Sequence, residues 1–151
     1  MNKAIKKTDT DIIKLLYQVF VLLKNEMGKL LEEEGIRVVA HICEIAGVRD
    51  ASFDPVNVSE EDFDRLRASS FPVNDPEAGE IMKTAISAAK KAGNSVGGVI
   101  ECAAIGLPAG VGDPMFDGME NMIACAVFAV PAVKGIEFGS GFAGSRSMGS
   151  A

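Results

Sequence analysis

Apolar residues recur at helical spacing near the start of the chain. Across residues 11–34 they fall three or four positions apart, and most of the positions between them are polar. A stripe of this kind is typical of a helix with one buried face. Gly35 follows, and glycine readily adopts the left-handed conformation that ends a helix. The pattern therefore predicts a long amphipathic helix that ends at Gly35.

A β-branched run and two capped segments come next. Residues 36–45, IRVVAHICEI, have the composition of a strand. Ser59, followed by three acidic residues, predicts a short helix that ends near Ala68. Asp75 and Pro76 predict a second helix over residues 75–92, because aspartate caps free N–H groups and proline suits the first helical turn.

The most distinctive stretch begins with residues 97–105, GGVIECAAI, where Glu101 is the only charge. This composition predicts a strand buried on most of its surface. Residues 106–112 hold three glycines and a proline. Neither a strand nor a helix continues through such a segment, which predicts a shaped turn.

A helix and a second strand are predicted after that turn. Asp113 and Pro114 repeat the cap-and-proline pattern, and residues 115–130 are nearly all apolar. We therefore expect a helix buried on several sides. Residues 134–138, KGIEF, read as a short strand, which would complete a βαβ-like unit.

Composition and charge narrow the class of protein. The chain has 151 residues, enough for one domain, with 48% hydrophobic residues and a net charge of −6. An acidic chain without tryptophan argues against a nucleic-acid partner. The lysines before the first apolar run are followed by acidic residues and by no cleavage site, so no targeting segment is predicted. Cys43, Cys102 and Cys125 lie in apolar runs without a CxxC motif, which predicts buried, reduced thiols and a cytoplasmic protein.

The candidate chemical groups favour structural roles. His41 is the chain's single histidine and lies among apolar residues. We expect it to be a hydrogen-bonded core residue, so no catalytic residue or metal ligand is assigned. Glu101 and Glu137 lie on the two predicted strands of the central stretch, and paired carboxylates can do acid–base work, but their spacing does not place them face to face.

Two glycine-rich segments suggest ligand binding only weakly. Residues 139–144 spell GxGxxG after the predicted second strand, but no helix pattern follows, so a dinucleotide site is not favoured. The loop at residues 106–112 precedes a predicted helix N-terminus, where backbone N–H groups can hold an anion. Asp113 argues against this, because its carboxylate would occupy that position.

Three blocks of the chain, in order, resemble the central part of chorismate synthase. They are GNSVGG (93–98), GLPAGVGDPMFD (106–117) and AVPAVKGIEFGSGF (129–142), and EEEGIRVVAHI (32–42) fits upstream. The resemblance implies an α+β fold in which long helices pack against antiparallel-rich sheets, as part of a β-α-β sandwich that forms a homo-oligomer. It divides the chain into an unmatched helical segment, residues 1–28, and a family-like segment, residues 29–151.

The resemblance also implies a reaction. The family eliminates phosphate from 5-enolpyruvylshikimate 3-phosphate in a 1,4 sense to give chorismate, a step of the shikimate pathway that needs reduced FMN. By this likeness Ser150 and Ala151 would be FMN neighbours, and Arg146 is a weaker candidate. The family's Gly-Glu-Ser-His-Gly, Ser-Ala-Arg and C-terminal Arg-His/Ser-Asp motifs are absent from these 151 residues.

A truncated chorismate synthase-like enzyme is therefore the first hypothesis. The alternatives are an inactive folded fragment and a small α/β binding or oligomerisation module. In a truncated form, the apolar helix at residues 115–130 would leave a large exposed patch that favours self-association.

Overall fold

The structure is a computed structural model and describes residues 28–54, 57–113 and 115–149. Its contacts divide the chain into two compact units, residues 1–107 and 108–151. Most of the predicted helix at residues 11–34 lies outside the described residues. Its last part is helical as α1, Gly28–Glu33, and Gly35 ends it with a φ of 78°.

The first unit is built on an antiparallel sheet. Strand β1, Arg37–Ile45, pairs with the short β2, Val48–Arg49, on one side and with β3, Gly98–Ile105, on the other. The strands predicted at residues 36–45 and 97–105 are thus confirmed. The register shifts between Ile42 and Glu44, so β1 carries a bulge at Cys43 whereas β3 runs without interruption.

Two capped helices complete the first unit. Helix α2, Glu60–Ala68, begins after Ser59, whose hydroxyl accepts a hydrogen bond from the Asp62 N–H at 3.1 Å. Helix α3, Pro76–Lys91, begins after Asp75, whose carboxylate accepts one from the Glu77 N–H at 2.9 Å. Both caps were predicted, because short oxygen-bearing side chains satisfy free N–H groups at a helix start.

The core lies between one face of the sheet and α2. Val39 of β1 packs against Phe63 and Leu66 of α2, and the latter two are fully buried. Ala103 and Ile105 of β3 border this cluster from the neighbouring strand. The apolar residues of α2 recur at i and i+3, which brings both onto the face that meets the sheet.

Strand β3 is less buried than predicted. It is the last strand of the described sheet, and from Ile100 onwards only alternate residues turn towards the core, so Ile100 is 38% exposed. Val99 lies near the start of the strand, beyond the core cluster, and is 51% exposed.

The prediction of buried cysteines is wrong for Cys125, which is exposed, and Cys43 is half-buried. Cys102 is exposed as a residue, whereas burial of its thiol, and after it the charge of Glu101, raise the pKa of Cys102 to about 11. An apolar sequence favours burial, but whether a segment is buried depends on the elements that pack against it.

The second unit departs further from the sequence prediction. Its helix α4 spans Met119–Phe128, starts after Gly118 without a side-chain cap, and has no buried residue. Asp113 instead lies in a closed loop, where its N–H donates to the Asp117 carbonyl at 3.0 Å. Met115 has a φ of 71°, which cannot continue a right-handed helix. The expected helix start at residues 113–114 is therefore wrong.

The strand predicted at residues 134–138 is also absent from the described part of the second unit. These residues are irregular, and the chain then enters a 3₁₀ helix, Gly141–Arg146. A strand persists only when a neighbouring strand takes up its N–H and C=O groups, and none of the described strands pairs with this segment. The βαβ-like unit is accordingly not formed.

The predicted turn at residues 106–112 is confirmed, with positive φ at Gly106, Gly110 and Gly112. Gly106 is the most constrained, because a Cβ placed there would overlap the Gly35 carbonyl oxygen. The absence of a side chain thus lets the end of β3 approach the turn that leads into β1.

We expect Gly106→Ala to destabilise the first unit more than Gly47→Ala. The two glycines have similar φ values, 81° and 80°, but nothing lies within 4 Å of a Cβ built at Gly47. Both variants suffer the left-handed strain of roughly 1–2 kcal/mol, and only Gly106→Ala adds an overlap of roughly 1–3 kcal/mol. Urea denaturation of both variants measures the difference, and equal losses would contradict a close approach at Gly106.

Candidate functional site

The buried polar centre of the first unit is His41. Its side chain is fully buried and lies between two carboxylates. Nδ1 is 2.8 Å from Oδ2 of Asp50, and Nε2 is 2.7 Å from Oε2 of Glu101. The Phe53 ring meets the imidazole edge to face, with centroids 4.6 Å apart. This confirms the prediction of a hydrogen-bonded core histidine.

Each carboxylate is also held by backbone N–H groups. Asp50 accepts from Asn74 at 2.6 Å through Oδ2 and from Asp75 at 2.7 Å through Oδ1. Glu101 accepts from the Phe53 N–H at 3.1 Å. The network therefore joins β1, the segment after β2, the start of α3 and β3, and its residues run from His41 to Glu101.

The geometry sets the number of protons in this network. Each of the two N···O contacts at His41 needs one hydrogen, so the three side chains share two protons. They form either an imidazolium between two carboxylates or a neutral imidazole between one carboxylate and one protonated carboxyl group. The net charge of the three side chains is −1 in both arrangements. Asp50 has no exposed side-chain surface, whereas Glu101 is 32% exposed, so Glu101 is the member that borders solvent.

Sequence reasoning found His41 but missed its partners. The available signal was the pairing of the two confirmed strands, because the register that places Val39 opposite Ala103 also places His41 opposite Glu101. Asp50 follows β2 and could not be paired with His41 without the path of the chain. Glu137, the other carboxylate considered, belongs to the second unit, where it accepts from the Phe142 N–H at 3.3 Å.

The network also acts on the neighbouring thiol. Burial, and after it the negative charge of Glu101, raise the pKa of Cys43 above its usual value. Asp50 and Glu44 add smaller contributions in the same direction, whereas a hydrogen bond with Ser52 opposes them. Cys43 therefore carries less thiolate at neutral pH than a free cysteine does, and it is a poor nucleophile there.

A shallow pocket of about 170 Å³ lies on the surface of the same unit. Its lining includes one cation, Arg65, which contacts Asp62 and Asn74, each at 2.9 Å, and the Val73 carbonyl at 3.0 Å. Hydrogen bonds from Ser59 and then Arg65 lower the pKa of Asp62, which therefore stays ionised at neutral pH. The arginine is thus already neutralised, and this pocket offers little to a phosphate group.

The residues proposed for cofactor binding, Ser150 and Ala151, lie outside the described residues. Arg146 ends the 3₁₀ helix and is exposed. The GxGxxG segment forms a turn and this 3₁₀ helix rather than a strand-to-helix junction. No helix in the described part of the chain is long and apolar enough to span a membrane.

Comparison with known protein families shows to which family this chain is related. The family model for chorismate synthase matches residues 21–151. The chain belongs to the chorismate synthase family. Its membership agrees with the three sequence blocks and with the α+β architecture in which helices pack on an antiparallel sheet.

Sequence identity to individual chorismate synthases agrees with the family match. The chain is 38% identical over 133 residues to the enzyme of Lancefieldella parvula, covering 81% of this chain and 35% of that one. It is 44% identical over 126 residues to the enzyme of Geobacillus thermodenitrificans, covering 81% and 32%. The chain thus spans about a third of the length of the curated relatives it matches.

A solved structure agrees with the fold. A crystal structure of chorismate synthase superposes with a TM-score of 0.65 at 29% identity, covering 82% of this chain and 39% of that one. The α+β fold expected from the sequence is therefore confirmed, as a partial version of the larger fold.

We expect His41→Ala to destabilise the chain by roughly 3–5 kcal/mol, because it leaves the buried Asp50 carboxylate without its partner. Glu101→Gln should cost less, roughly 1–3 kcal/mol, since the amide keeps the shape and the site is partly solvated. Glu44→Gln, which removes only a surface pair with Arg49, is the control and should cost about 1 kcal/mol or less. Urea denaturation ranks the three variants by their loss of unfolding free energy. If His41→Ala were as stable as the unmodified chain, the network would not stabilise the fold.

We expect Glu101→Gln to speed alkylation of Cys43 by iodoacetamide at pH 8. Removing the negative charge lowers the thiol pKa and so raises the thiolate fraction. Glu44→Gln is again the control, because the charge of Glu44 has the smallest effect on the pKa of Cys43. Peptide mass spectrometry follows each cysteine separately, and unchanged alkylation of Cys43 in Glu101→Gln would exclude an electrostatic link.

Proposed function

We propose that this chain is a truncated chorismate synthase that takes part in the 1,4-elimination of phosphate from 5-enolpyruvylshikimate 3-phosphate. The product is chorismate, and the pathway leads to the aromatic amino acids. The observation that carries the proposal is the family match over residues 21–151. Enzymes bearing that name are about 40% identical to this chain over some 80% of its length.

The described residues supply a scaffold rather than a catalytic centre. Their most ordered polar group, the network of His41, Asp50 and Glu101, is committed to internal hydrogen bonds. The three signature motifs of the family are absent from the sequence. We therefore infer that groups from outside the described residues would contact the reacting atoms.

Reduced FMN is the cofactor we propose, since the family uses it. The described pocket of about 170 Å³ does not fit a flavin, because small-molecule sites typically measure about 300–1,000 Å³, and its single arginine is paired. We propose that Ser150 and Ala151 lie against the flavin instead. The substrate partner would be the phosphorylated enolpyruvyl compound, and the assembly a cytoplasmic homo-oligomer.

The organisation of the chain belongs to the same proposal. We propose that residues 29–151 form the chorismate synthase-like segment and that residues 1–28 form a separate helical segment. The support for this division is the extent of the likeness to individual relatives, which covers 81% of this chain.

Fluorescence titration of FMN into the full chain tests the cofactor part of the proposal. We expect saturable quenching, and we expect Ser150→Glu to weaken binding at least tenfold by placing a carboxylate beside the anionic cofactor. Ser145→Glu, an exposed serine of the 3₁₀ helix, is the matched control and should bind normally.

The outcomes separate the parts of the proposal. Binding that is equal in Ser150→Glu and Ser145→Glu would remove Ser150 from the site and leave FMN binding intact. No binding at any flavin concentration would remove the flavin function from this chain alone and favour the alternative of an inactive folded fragment. When binding is found, an anaerobic assay with reduced FMN and substrate measures chorismate formation directly.

A further inference from the structure

We propose that the network of His41, Asp50 and Glu101 is a pH-dependent switch that acts on Phe53. While the network holds two protons, Glu101 keeps the backbone of Phe53 against β3. Uptake of a third proton at Glu101 weakens that contact, whereas Asp50 keeps the start of α3 in place. This inference does not depend on the catalytic function proposed above.

The network has a buried half and a half that borders solvent. The buried half is Asp50, which has no exposed side-chain surface and accepts N–H groups at both carboxylate oxygens from the two residues that precede α3. The other half is Glu101, whose side chain is 32% exposed. Both contacts described for Glu101, with Nε2 of His41 and with the Phe53 N–H, are made through Oε2. Its Oε1 is therefore the carboxylate oxygen that can take a further proton.

The geometry determines where a third proton binds. The first two protons lie in the N···O contacts on either side of His41, in both of the arrangements described above. Each oxygen of Asp50 already accepts an N–H group within a fully buried site, and such hydrogen bonds favour the charged form of a carboxylate. Glu101 is therefore the member that changes charge first as the pH falls.

Protonation of Glu101 weakens both of its contacts. A carboxylate forms charge-assisted hydrogen bonds, which are roughly twice as strong as those of a neutral group. The Phe53 N–H and the His41 ring would then share the weaker oxygen of a neutral carboxyl group. Phe53 also meets His41 edge to face and packs against the core cluster, so the segment loosens without unfolding of the whole unit.

The direction of the pH dependence follows from the number of protons. The closed form, in which Glu101 holds the Phe53 N–H, binds two protons at the network, and the open form binds three. A falling pH therefore favours the open form, by at most about tenfold for each unit of pH. The stability that this contact contributes is present at neutral pH and is lost in acid.

The thiols beside the network do not change charge as the pH falls. Burial, and after it the negative charge of Glu101, raise the pKa of Cys43 on β1 and raise the pKa of Cys102 on β3 to about 11. Both thiols are therefore already protonated at neutral pH. An acid response of the first unit cannot come from these two groups.

The carboxylates of the elements around the network have partners of their own. These pairs are Glu44 of β1 with Arg49, Asp75 with the Glu77 N–H at the cap of α3, Asp62 of α2 with Ser59 and Arg65, and Glu60 and Asp64 of α2 with Arg37. Asp75 also donates its backbone N–H to Asp50, so its own protonation must be separated from that of Glu101.

The switch reaches the protein surface through Phe53. Phe53 and Asn74 both line the shallow pocket of about 170 Å³. Glu101 holds the backbone of Phe53, and Asp50 holds that of Asn74. Acid thus loosens one wall of the pocket while the other stays fixed, so proton uptake changes the shape of this surface.

Hydrogen exchange of single amides, followed by NMR on the full chain, is the first test. We expect the protection factor of the Phe53 amide to fall about tenfold between pH 7 and pH 4, because a charge-assisted hydrogen bond is replaced by a neutral one. The amides of Asn74 and Asp75 should keep their protection. Carboxyl ¹³C shifts of the same sample should show that Glu101 takes up a proton over this range while Asp50 stays ionised.

Variants are the second test. Glu101→Gln fixes the side chain in a neutral form, so the Phe53 amide should have low protection already at pH 7, with no further fall in acid. Glu44→Gln on the neighbouring strand is the matched control and should behave like the unmodified chain. Asp75→Asn keeps a capping side chain and should also do so. If circular dichroism shows that Glu101→Gln is unfolded, the amide protection and carboxyl shifts of the unmodified chain decide the question.

Four results would overturn the proposal. They are unchanged protection of Phe53 when Glu101 is protonated, proton uptake by Asp50 before Glu101, the same pH dependence in folded Glu101→Gln as in the unmodified chain, and loss of protection at Phe53, Asn74 and Asp75 together. The last result would assign the acid response to unfolding of the whole unit.

Discussion

The antiparallel pairing of β1 with β3 is the constraint on which the first unit depends. One register places Val39 beside Ala103 over the core and His41 opposite Glu101. Because side chains alternate between the two faces of a strand, a slip by one residue would turn the core residues of β3 outwards and separate the buried histidine from its carboxylate. Hydrophobic burial and the polar network thus select the same register.

The network of His41, Asp50 and Glu101 contributes specificity as well as energy. Buried charged groups gain little over a well-packed apolar core, but they are costly when their partners are missing. Here the partners come from β1, β3 and the segment after β2, and the start of α3 supplies two further N–H donors to Asp50. All of these segments must reach their places before the buried charges are satisfied, which disfavours alternative packings.

The two units differ in how much of their apolar surface is buried. The first has fully buried side chains such as Phe63, Leu66 and Met82, whereas α4 of the second has none. Exposed Met115, Phe116 and Phe128 in the second unit are therefore available to other surfaces. This agrees with a chain that spans about a third of its relatives' length and shares their fold over most of its own.

The sequence alone determined the elements whose signals are local. The Ser59 and Asp75 caps, the glycine turn at residues 106–112 and the strands at residues 36–45 and 97–105 all follow from neighbouring residues, and the structure has them. Three blocks of sequence that match the family in order also sufficed to recognise it. Tertiary structure decided what depends on distant partners: the exposure of β3, the late start of α4, the loss of the strand at residues 134–138 and the partners of His41. Burial, strand pairing and charge pairing each require a second segment, and no single stretch of sequence contains it.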